Sequence, residues 1–194
     1  MLDFSGVNIG FAMTGSFCTF SKAFAQAQAL SDLGASLVPI MSENASSISS
    51  RFGSADENVS ALENICHRKV ICSICDAEPI GPHNLTDILI VAPCTSNTAA
   101  KLASSITDTT VTMAVKSHLR GGKPVLLALA SNDSLLGSAK NLGILFNRKN
   151  YFFVPMRQDD IIKKPASLVA DFSLIPDATK AALNGIQLRP LIAQ

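Results

Sequence analysis

The run Ile88-Leu89-Ile90-Val91-Ala92 constrains the fold more than any other segment, because every side chain in it is apolar. A strand that is apolar on both faces has to be covered on both faces, as the central strands of parallel sheets are. The run stops at Pro93, and a helical stretch follows from about Ser96 to Ser105. This segment therefore predicts an α/β protein with helices on both sides of a sheet.

Other apolar runs of strand length alternate with helical patterns along the chain. We predict further strands at 7–13, 36–41, 70–74, 124–130 and 151–154, and further helices near 20–33, 56–67, 109–119, 134–149 and 176–185. This alternation predicts a Rossmann-like, doubly wound parallel sheet in a three-layer α/β/α arrangement. We expect residues 1–155 to form the α/β domain, and residues 156–194 to form a C-terminal extension packed on the same domain.

Composition excludes several classes of protein. Apolar residues make up 47% of the 194 residues, which excludes intrinsic disorder, and a net charge of +1 leaves no basic footprint for nucleic acid. No apolar run approaches the roughly 20 residues of a membrane span, and residues 1–6 carry no basic targeting region, so we expect a soluble, cytoplasmic protein. Only 16% of the residues are charged, which favours a homo-oligomer whose protomers cover each other's apolar surface.

Cysteines and histidines give no sign of a metal site. The five cysteines are Cys18, Cys66, Cys72, Cys75 and Cys94. An odd number in a chain long enough for its own core favours free thiols, and Cys72 and Cys75 are expected in or beside a strand. The spacing of His67, His83 and His118 does not resemble a set of metal ligands, so we expect structural roles for them and no bound metal.

Polar residues follow the predicted strands at the carboxyl edge, where open parallel sheets bind ligands. Such residues are Gly15 and Ser16 after the first strand, Ser42 and Asn44 after the second, the segment 93–101 after the central strand, and Ser131 and Asn132 after the fifth. Gly15 lets a ligand approach the backbone, and the helix that follows it offers an N-terminus that favours an anion. The segment is not GxGxxG, and plain helix capping by the same hydroxyl groups is the alternative.

Two other groups of residues are less informative. Ser, His and Asp residues are present, but there is no GxSxG motif to place a nucleophilic serine. The basic residues Lys116, Arg120 and Lys123 are expected on a solvated face, with binding of an acidic substrate or partner as the alternative.

Together the strand ends resemble a family of FMN-binding flavoproteins that includes phosphopantothenoylcysteine decarboxylase and the peptidyl-cysteine decarboxylases. The matching elements are Thr14-Gly15-Ser16, the segment 92–101, Asp108 with Thr112, and Asn132. The resemblance implies a flavoprotein-type α/β/α fold and bound FMN. It implies cofactor contacts from Gly15, Ser16, Ser42, Asn44, Pro93, Thr95, Ser96, Asn97, Thr98, Thr112, Ala130 and Ser131.

Nearly the whole chain resembles one branch of the family, the B subunits of dipicolinate synthase. The resemblance extends from the segment 78–82 through 107–109 and 141–143 to 164–169. It implies a part in the oxidation of dihydrodipicolinate to dipicolinate during spore formation, together with an A subunit that binds NADP. For a small dicarboxylate substrate, Lys101 is the candidate cation and Asn132 the candidate for orienting a carboxylate.

Two departures from the decarboxylases keep other functions open. Pro79 stands where those enzymes carry a catalytic histidine, and His83 is out of register with it. Ser96 replaces the glycine that is usual before the motif asparagine in the synthase branch. The alternatives are an FMN-dependent decarboxylase of a cysteine-derived substrate, and a non-catalytic chain that binds flavin and supports the A subunit.

Overall fold

The computed structural model describes residues 2–193, in which seven strands form one mixed sheet. Five are parallel: β1 (Asn8–Met13), β2 (Ser36–Met41), β3 (Ile88–Cys94), β4 (Val125–Ser131) and β5 (Tyr151–Phe153). β6 (Met156–Arg157) and β7 (Leu168–Ala170) are antiparallel to each other, and β7 is antiparallel to β4. The order is β2-β1-β3-β4-β7-β6, with β5 beside β4, and the predicted Rossmann-like α/β/α fold is confirmed.

Helices cover both faces of the sheet. They are α1 (Phe20–Asp32), α2 (Glu43–Ser47), α3 (Ala55–Cys66), α4 (Ile74–Ala77), α5 (Ser96–Ala103), α6 (Thr110–Leu119), α7 (Ala139–Phe146) and α8 (Ile175–Leu183). Short 3-10 turns lie at Phe17–Thr19, Glu78–Ile80 and Phe172–Leu174. Within residues 2–193, none of the helices combines the length and the apolar character that crossing a membrane requires.

The central strand β3 explains why its sequence is apolar throughout. Ile88, Ile90 and Ala92 pack in the core that α1 and α8 cover. Leu89 and Val91 point the other way, into the core formed with α5 and α6. Because all seven residues of β3 are buried, neither face of the strand can carry a polar side chain without a partner.

The prediction of a strand at 70–74 is wrong. Only Ile71 pairs with the sheet: its N–H donates to the carbonyl of Pro39 at 2.9 Å, and its own carbonyl accepts from Met41 N–H at 3.0 Å. Helix α4 then begins at Ile74, because the Ser73 hydroxyl accepts a hydrogen bond from Asp76 N–H and caps it. Cys72 is half-buried beside Ile71, as predicted, whereas Cys75 lies in α4 and is exposed, so the prediction is wrong for Cys75.

The helix predicted at 134–149 is shorter than the apolar pattern suggests. Residues 134–138 form a turn around Asp133, whose carboxylate accepts hydrogen bonds from the hydroxyls of Ser131 and Ser138, both at 2.8 Å. These bonds satisfy the backbone locally in a non-helical form, so α7 starts only at Ala139.

The residues after β5 extend the sheet in a way that the sequence pattern did not predict. A hairpin of β6 and β7 returns along the chain, and Leu168 pairs with Ser131 at the carboxyl end of β4. Helix α8 then packs beneath the sheet, with Pro176 in its first turn and Gly185 in a left-handed conformation just after it, as predicted.

Candidate functional site

A cavity of about 480 Å³ opens at the carboxyl edge of the sheet, between the ends of β1, β2 and β3. Its lining residues are Thr14, Gly15, Ser42, Glu43, Asn44, Thr95, Ser96, Asn97, Thr98, Lys101, Asp108 and Thr109. The structure thus brings together eight of the fourteen residues predicted for the site. Glu43, Asp108 and Thr109 line the cavity as well, but they were not among the predicted site residues.

The floor of the cavity is a hydrogen-bonded junction between β1 and β3. The buried Thr14 hydroxyl donates to the carbonyl of Pro93 at 2.8 Å and accepts from Thr95 N–H at 3.1 Å. Pro93 is itself buried beneath this junction rather than lining the cavity. The two strand ends are therefore fixed to each other, and the polar turns that follow them are held side by side.

Thr95 starts the helix that forms one wall. Its hydroxyl accepts a hydrogen bond from Thr98 N–H at 3.3 Å, so α5 begins at Ser96. Ser96 and Asn97 lie in the first turn of α5, where the helix dipole favours negative charge. Hydroxyl and amide groups at this helix N-terminus suit an anion or a polyol as ligand.

The opposite wall comes from the turn after β2. The Ser42 hydroxyl caps the short helix α2 by accepting from Ala45 N–H at 3.3 Å. Glu43 reaches across to α6, where its carboxylate accepts from the backbone N–H and the hydroxyl of Thr110 at 2.9 and 2.8 Å. Glu43 therefore fixes the position of α6 against this wall.

Lys101 does not face the cavity as a free cation. Its ammonium group lies 2.7 Å from a carboxylate oxygen of Asp108, and the two side chains are 23% and 58% exposed. The hydrogen bond from Lys101 holds the pKa of Asp108 below its usual value. A ligand whose carboxylate binds Lys101 has to share the ammonium group with Asp108 or displace Asp108 from it.

The remaining predicted residues do not line the cavity. Thr112 is buried in the first turn of α6, where it forms a capping box with Thr109. Ser16 follows Gly15, and its hydroxyl lies 3.9 Å from the Cys18 sulfur. Ala130 and Ser131 end β4 and are buried, while Asn132 directly follows the strand and is exposed.

Asp133 orders the turn after β4. Hydrogen bonds from the Ser138 and Ser131 hydroxyls, both at 2.8 Å, hold its pKa below the usual value. β4 pairs with β3, with Leu129 opposite Cys94. Asn132 follows β4 and therefore lies at the same edge of the sheet as the cavity.

Comparison with known proteins identifies the family. The sequence profile of the flavoprotein family matches residues 3–187. The chain belongs to the flavoprotein family. It is 40% identical over 194 residues to the B subunit of dipicolinate synthase from Bacillus subtilis (strain 168), covering all of this chain and 97% of that protein.

Solved structures agree with this assignment. The crystal structure of the dipicolinate synthase B subunit from Bacillus halodurans superposes with a TM-score of 0.92 at 35% identity, covering 100% of this flavoprotein and 99% of that chain. The FMN-dependent cysteine decarboxylase SpaF superposes with a TM-score of 0.69 at 19% identity, covering 92% of this chain and 98% of its own, which shows a shared fold. The resemblance inferred from the sequence is confirmed.

The histidines and cysteines of this flavoprotein lie outside the cavity lining. His118 is buried, with Nδ1 2.9 Å from the Thr86 hydroxyl and Nε2 2.9 Å from the Pro124 carbonyl, and burial lowers its pKa to about 4. Burial also raises the pKa of the Cys66 and Cys94 thiols to about 12. Residues 2–193 contain no group of His, Cys, Asp and Glu residues that could hold a metal ion, and all five cysteines are free.

The basic residues near the end of α6 do not form one solvated face. Lys123 is half-buried and donates to the Thr86 carbonyl and to Asp87, which it approaches to 3.3 Å. Arg120 is exposed and lies 3.9 Å from Glu78. The expectation of a solvated face is therefore wrong for Lys123, because Asp87 and Thr86 before β3 offer it an acidic partner and a free carbonyl.

Proposed function

We propose that this flavoprotein is the B subunit of a dipicolinate synthase and takes part in the oxidation of dihydrodipicolinate to dipicolinate during spore formation. The observation that carries the proposal is the 40% identity to such a protein along the whole chain. The reaction removes two hydrogens from the substrate, and its ring becomes aromatic. An A subunit with bound NADP completes the enzyme in this proposal.

FMN is the proposed cofactor, and the chemistry of the cavity residues fits it. Backbone and side-chain donors at Gly15, Ser16, Ser42 and Asn44 would hold its phosphate, and Thr95, Ser96, Asn97 and Thr98 would contact the ribityl chain and ring. A Cβ atom built at Gly15 meets no atom closer than 3.8 Å, so the space above this turn is open to a ligand. When bound, FMN supplies a two-electron acceptor.

Lys101 and Asn132 would hold the substrate. A dicarboxylate carries two negative charges, and Lys101 is the one cation among the residues that line the cavity. Substrate binding would replace Asp108 as the partner of Lys101, since a carboxylate of the substrate offers the same charge-assisted hydrogen bond. The exposed amide of Asn132 would orient a carboxylate or the ring nitrogen, but a neutral amide cannot act as a base.

The balance of charged side chains in the cavity lining supports the proposal that a partner chain completes the site. Glu43 and Asp108 contribute two carboxylates to the lining against the single ammonium group of Lys101. A cavity with this balance attracts a dianion weakly. We infer that the A subunit supplies further positive charge and the proton acceptor when the two chains meet.

The decarboxylase alternative has less support. None of the three histidines lines the cavity, and Pro79 lies in the 3-10 turn Glu78–Ile80 that packs on α6. Decarboxylation of a cysteine-derived substrate would thus lack its histidine here. The similarity to SpaF extends to the fold alone at 19% identity.

The test is reconstitution. The purified chain is mixed with FMN and with the A subunit from the same organism, and dipicolinate formation from dihydrodipicolinate is followed. We expect bound flavin in the visible spectrum, and activity only when both chains are present. Activity of the A subunit alone at the same rate, or decarboxylation of a cysteinyl substrate by this chain, would contradict the proposal.

A further inference from the structure

A second and larger groove, of about 730 Å³, lies between α1 and the β6–β7 hairpin. One wall is the exposed side of α1, with Lys22 and Gln26, and the other is the hairpin, with Arg157 and Ile161. Phe172 and Ile192 also contribute to the lining. The groove shares no residue with the proposed flavin cavity.

The tip of the hairpin presents two isoleucines to solvent. A carboxylate oxygen of Asp160 accepts hydrogen bonds from the N–H groups of Ile162 and Lys163 at 3.0 and 2.8 Å, and Lys164 N–H donates to the Asp160 carbonyl at 2.8 Å. In this hydrogen-bonded turn Ile161 is 69% exposed and Ile162 85% exposed. Isoleucine side chains held out by an ordered turn are characteristic of a surface that another chain covers.

Cations slightly outnumber carboxylates around the groove. Asp159 pairs with Lys164, whereas Asp160 and Asp171 accept hydrogen bonds from neutral backbone and hydroxyl groups and so keep their negative charge. The cations Lys22, Arg157 and Lys163 form no ion pair within residues 2–193, and these seven side chains together carry a net charge of +1. Unpaired cations beside exposed isoleucines fit a partner segment that combines acidic and apolar side chains.

The groove adjoins the carboxyl edge of the sheet. The hairpin strand β7 pairs with the end of β4, where Leu168 lies opposite Ser131, and Leu135 N–H donates to the Ala166 carbonyl at 3.0 Å. The other wall, α1, follows directly on the Gly15–Ser16 turn of the flavin cavity. A chain bound in the groove would thus lie next to the exposed Asn132, within reach of the proposed substrate.

We propose that this surface, formed by Lys22, Arg157, Ile161, Ile162 and Lys163, docks the A subunit through an acidic segment that also carries apolar side chains. The proposal rests on the proposed function, because it assigns a place to the partner of that same reaction. An A subunit bound at this surface would lie at the edge of the flavin cavity. It could therefore supply both the positive charge that the cavity lining lacks and the proton acceptor.

The experiment measures binding of the A subunit to matched variants in a calorimetric titration. Ile162→Asp and Arg157→Glu alter the surface, while Ile186→Asp and Lys149→Glu make the same changes at exposed positions elsewhere. We expect each surface variant to weaken binding by about tenfold or more, as loss of an interface anchor does, and each control to stay within about twofold of the unchanged chain. Thermal unfolding and FMN binding of the isolated variants serve as checks of folding and should not change.

Three results would overturn the proposal. Equal affinity of the surface variants and the controls would remove this surface from the interface. A change in self-association of the isolated variants, without a change in their affinity for the A subunit, would show that a second copy of this chain covers the groove. Failure of the unaltered chain to bind the A subunit at all would reject the partnership itself, and with it the proposed function.

Discussion

Lys101 Nζ lies 2.7 Å from Asp108 Oδ1, so the ammonium group that we propose as the substrate ligand already has an anionic partner in the free protein. Both residues of the pair line the cavity. The side chains of Lys101 and Asp108 both retain access to solvent, so the pair contributes at most about 1 kcal/mol and can be exchanged. Two substitutions with opposite expected effects follow from this arrangement.

Lys101→Ala should lower kcat/KM for dipicolinate formation by roughly tenfold to a hundredfold, because one charge-assisted contact of about 1.5–3 kcal/mol is lost.

Asp108→Asn should instead lower KM by up to about threefold, since the ammonium group of Lys101 no longer has to leave a carboxylate when the substrate binds. Steady-state kinetics of the reconstituted enzyme measure both, with Lys140→Ala on α7 as the control. Unchanged kinetics in both variants would remove Lys101 from the substrate site.

Gly15→Val tests the proposed cofactor site without disturbing the fold. The nearest atom to a Cβ built at Gly15 is Asn44 Cβ at 3.8 Å, and Gly15 does not adopt the left-handed backbone conformation that favours glycine. The free protein should therefore tolerate the side chain, while close approach of FMN to this turn is blocked. We expect FMN affinity to fall by about tenfold or more, with an unchanged melting temperature.

Quenching of flavin fluorescence measures this affinity, and Gly15→Ala provides an intermediate step in size. The opposite pattern, a lower melting temperature with normal FMN binding, would show that Gly15 serves the fold rather than the cofactor.

Sequence reasoning predicted most of the sheet because local pattern determines it. The apolar run at Ile88–Ala92 requires cover on both faces, and the structure buries it between two cores. The strand ends then bring Gly15, Asn44 and Thr95 to one edge, since parallel strands share the direction of their carboxyl ends.

The missed features depend on contacts between distant parts of the chain. Glu43 is fixed by Thr110, 67 positions later, and no periodicity along the chain signals such a bond. The hairpin of β6 and β7 is too short and too polar at its turn to show an alternating pattern. At 70–74 the apolar run was present, but the capping hydroxyl of Ser73 starts a helix there.

The isolated chain should be a homo-oligomer. Only 16% of its residues are charged, and Leu136, Ile144 and Phe146 expose large apolar side chains in and just before α7, away from the hairpin tip. Burying such side chains between copies is favourable by about 25 cal/mol per Å². Light scattering at micromolar concentration should give a multiple of 20.4 kDa, with little dependence on salt. A mass of one chain would contradict this expectation.

His118 should make the stability of the fold depend on pH. Burial lowers its pKa to about 4, against 6.5 for an ordinary histidine, so between these values the unfolded chain binds a proton that the folded chain does not. The free energy of unfolding is therefore highest above pH 6.5 and falls as the pH drops toward 4, by about 2 kcal/mol between pH 7 and pH 5. Urea unfolding at the two pH values measures this loss.

Two histidine variants test the cause. His118→Gln should be less stable at pH 7, because it disrupts the contacts with Thr86 and Pro124, but it should lose about 2 kcal/mol less on acidification. His83→Gln, at an exposed position, is the control and should behave like the unaltered chain. An equal pH dependence in all three proteins would show that His118 is protonated in the folded state as easily as in the unfolded one.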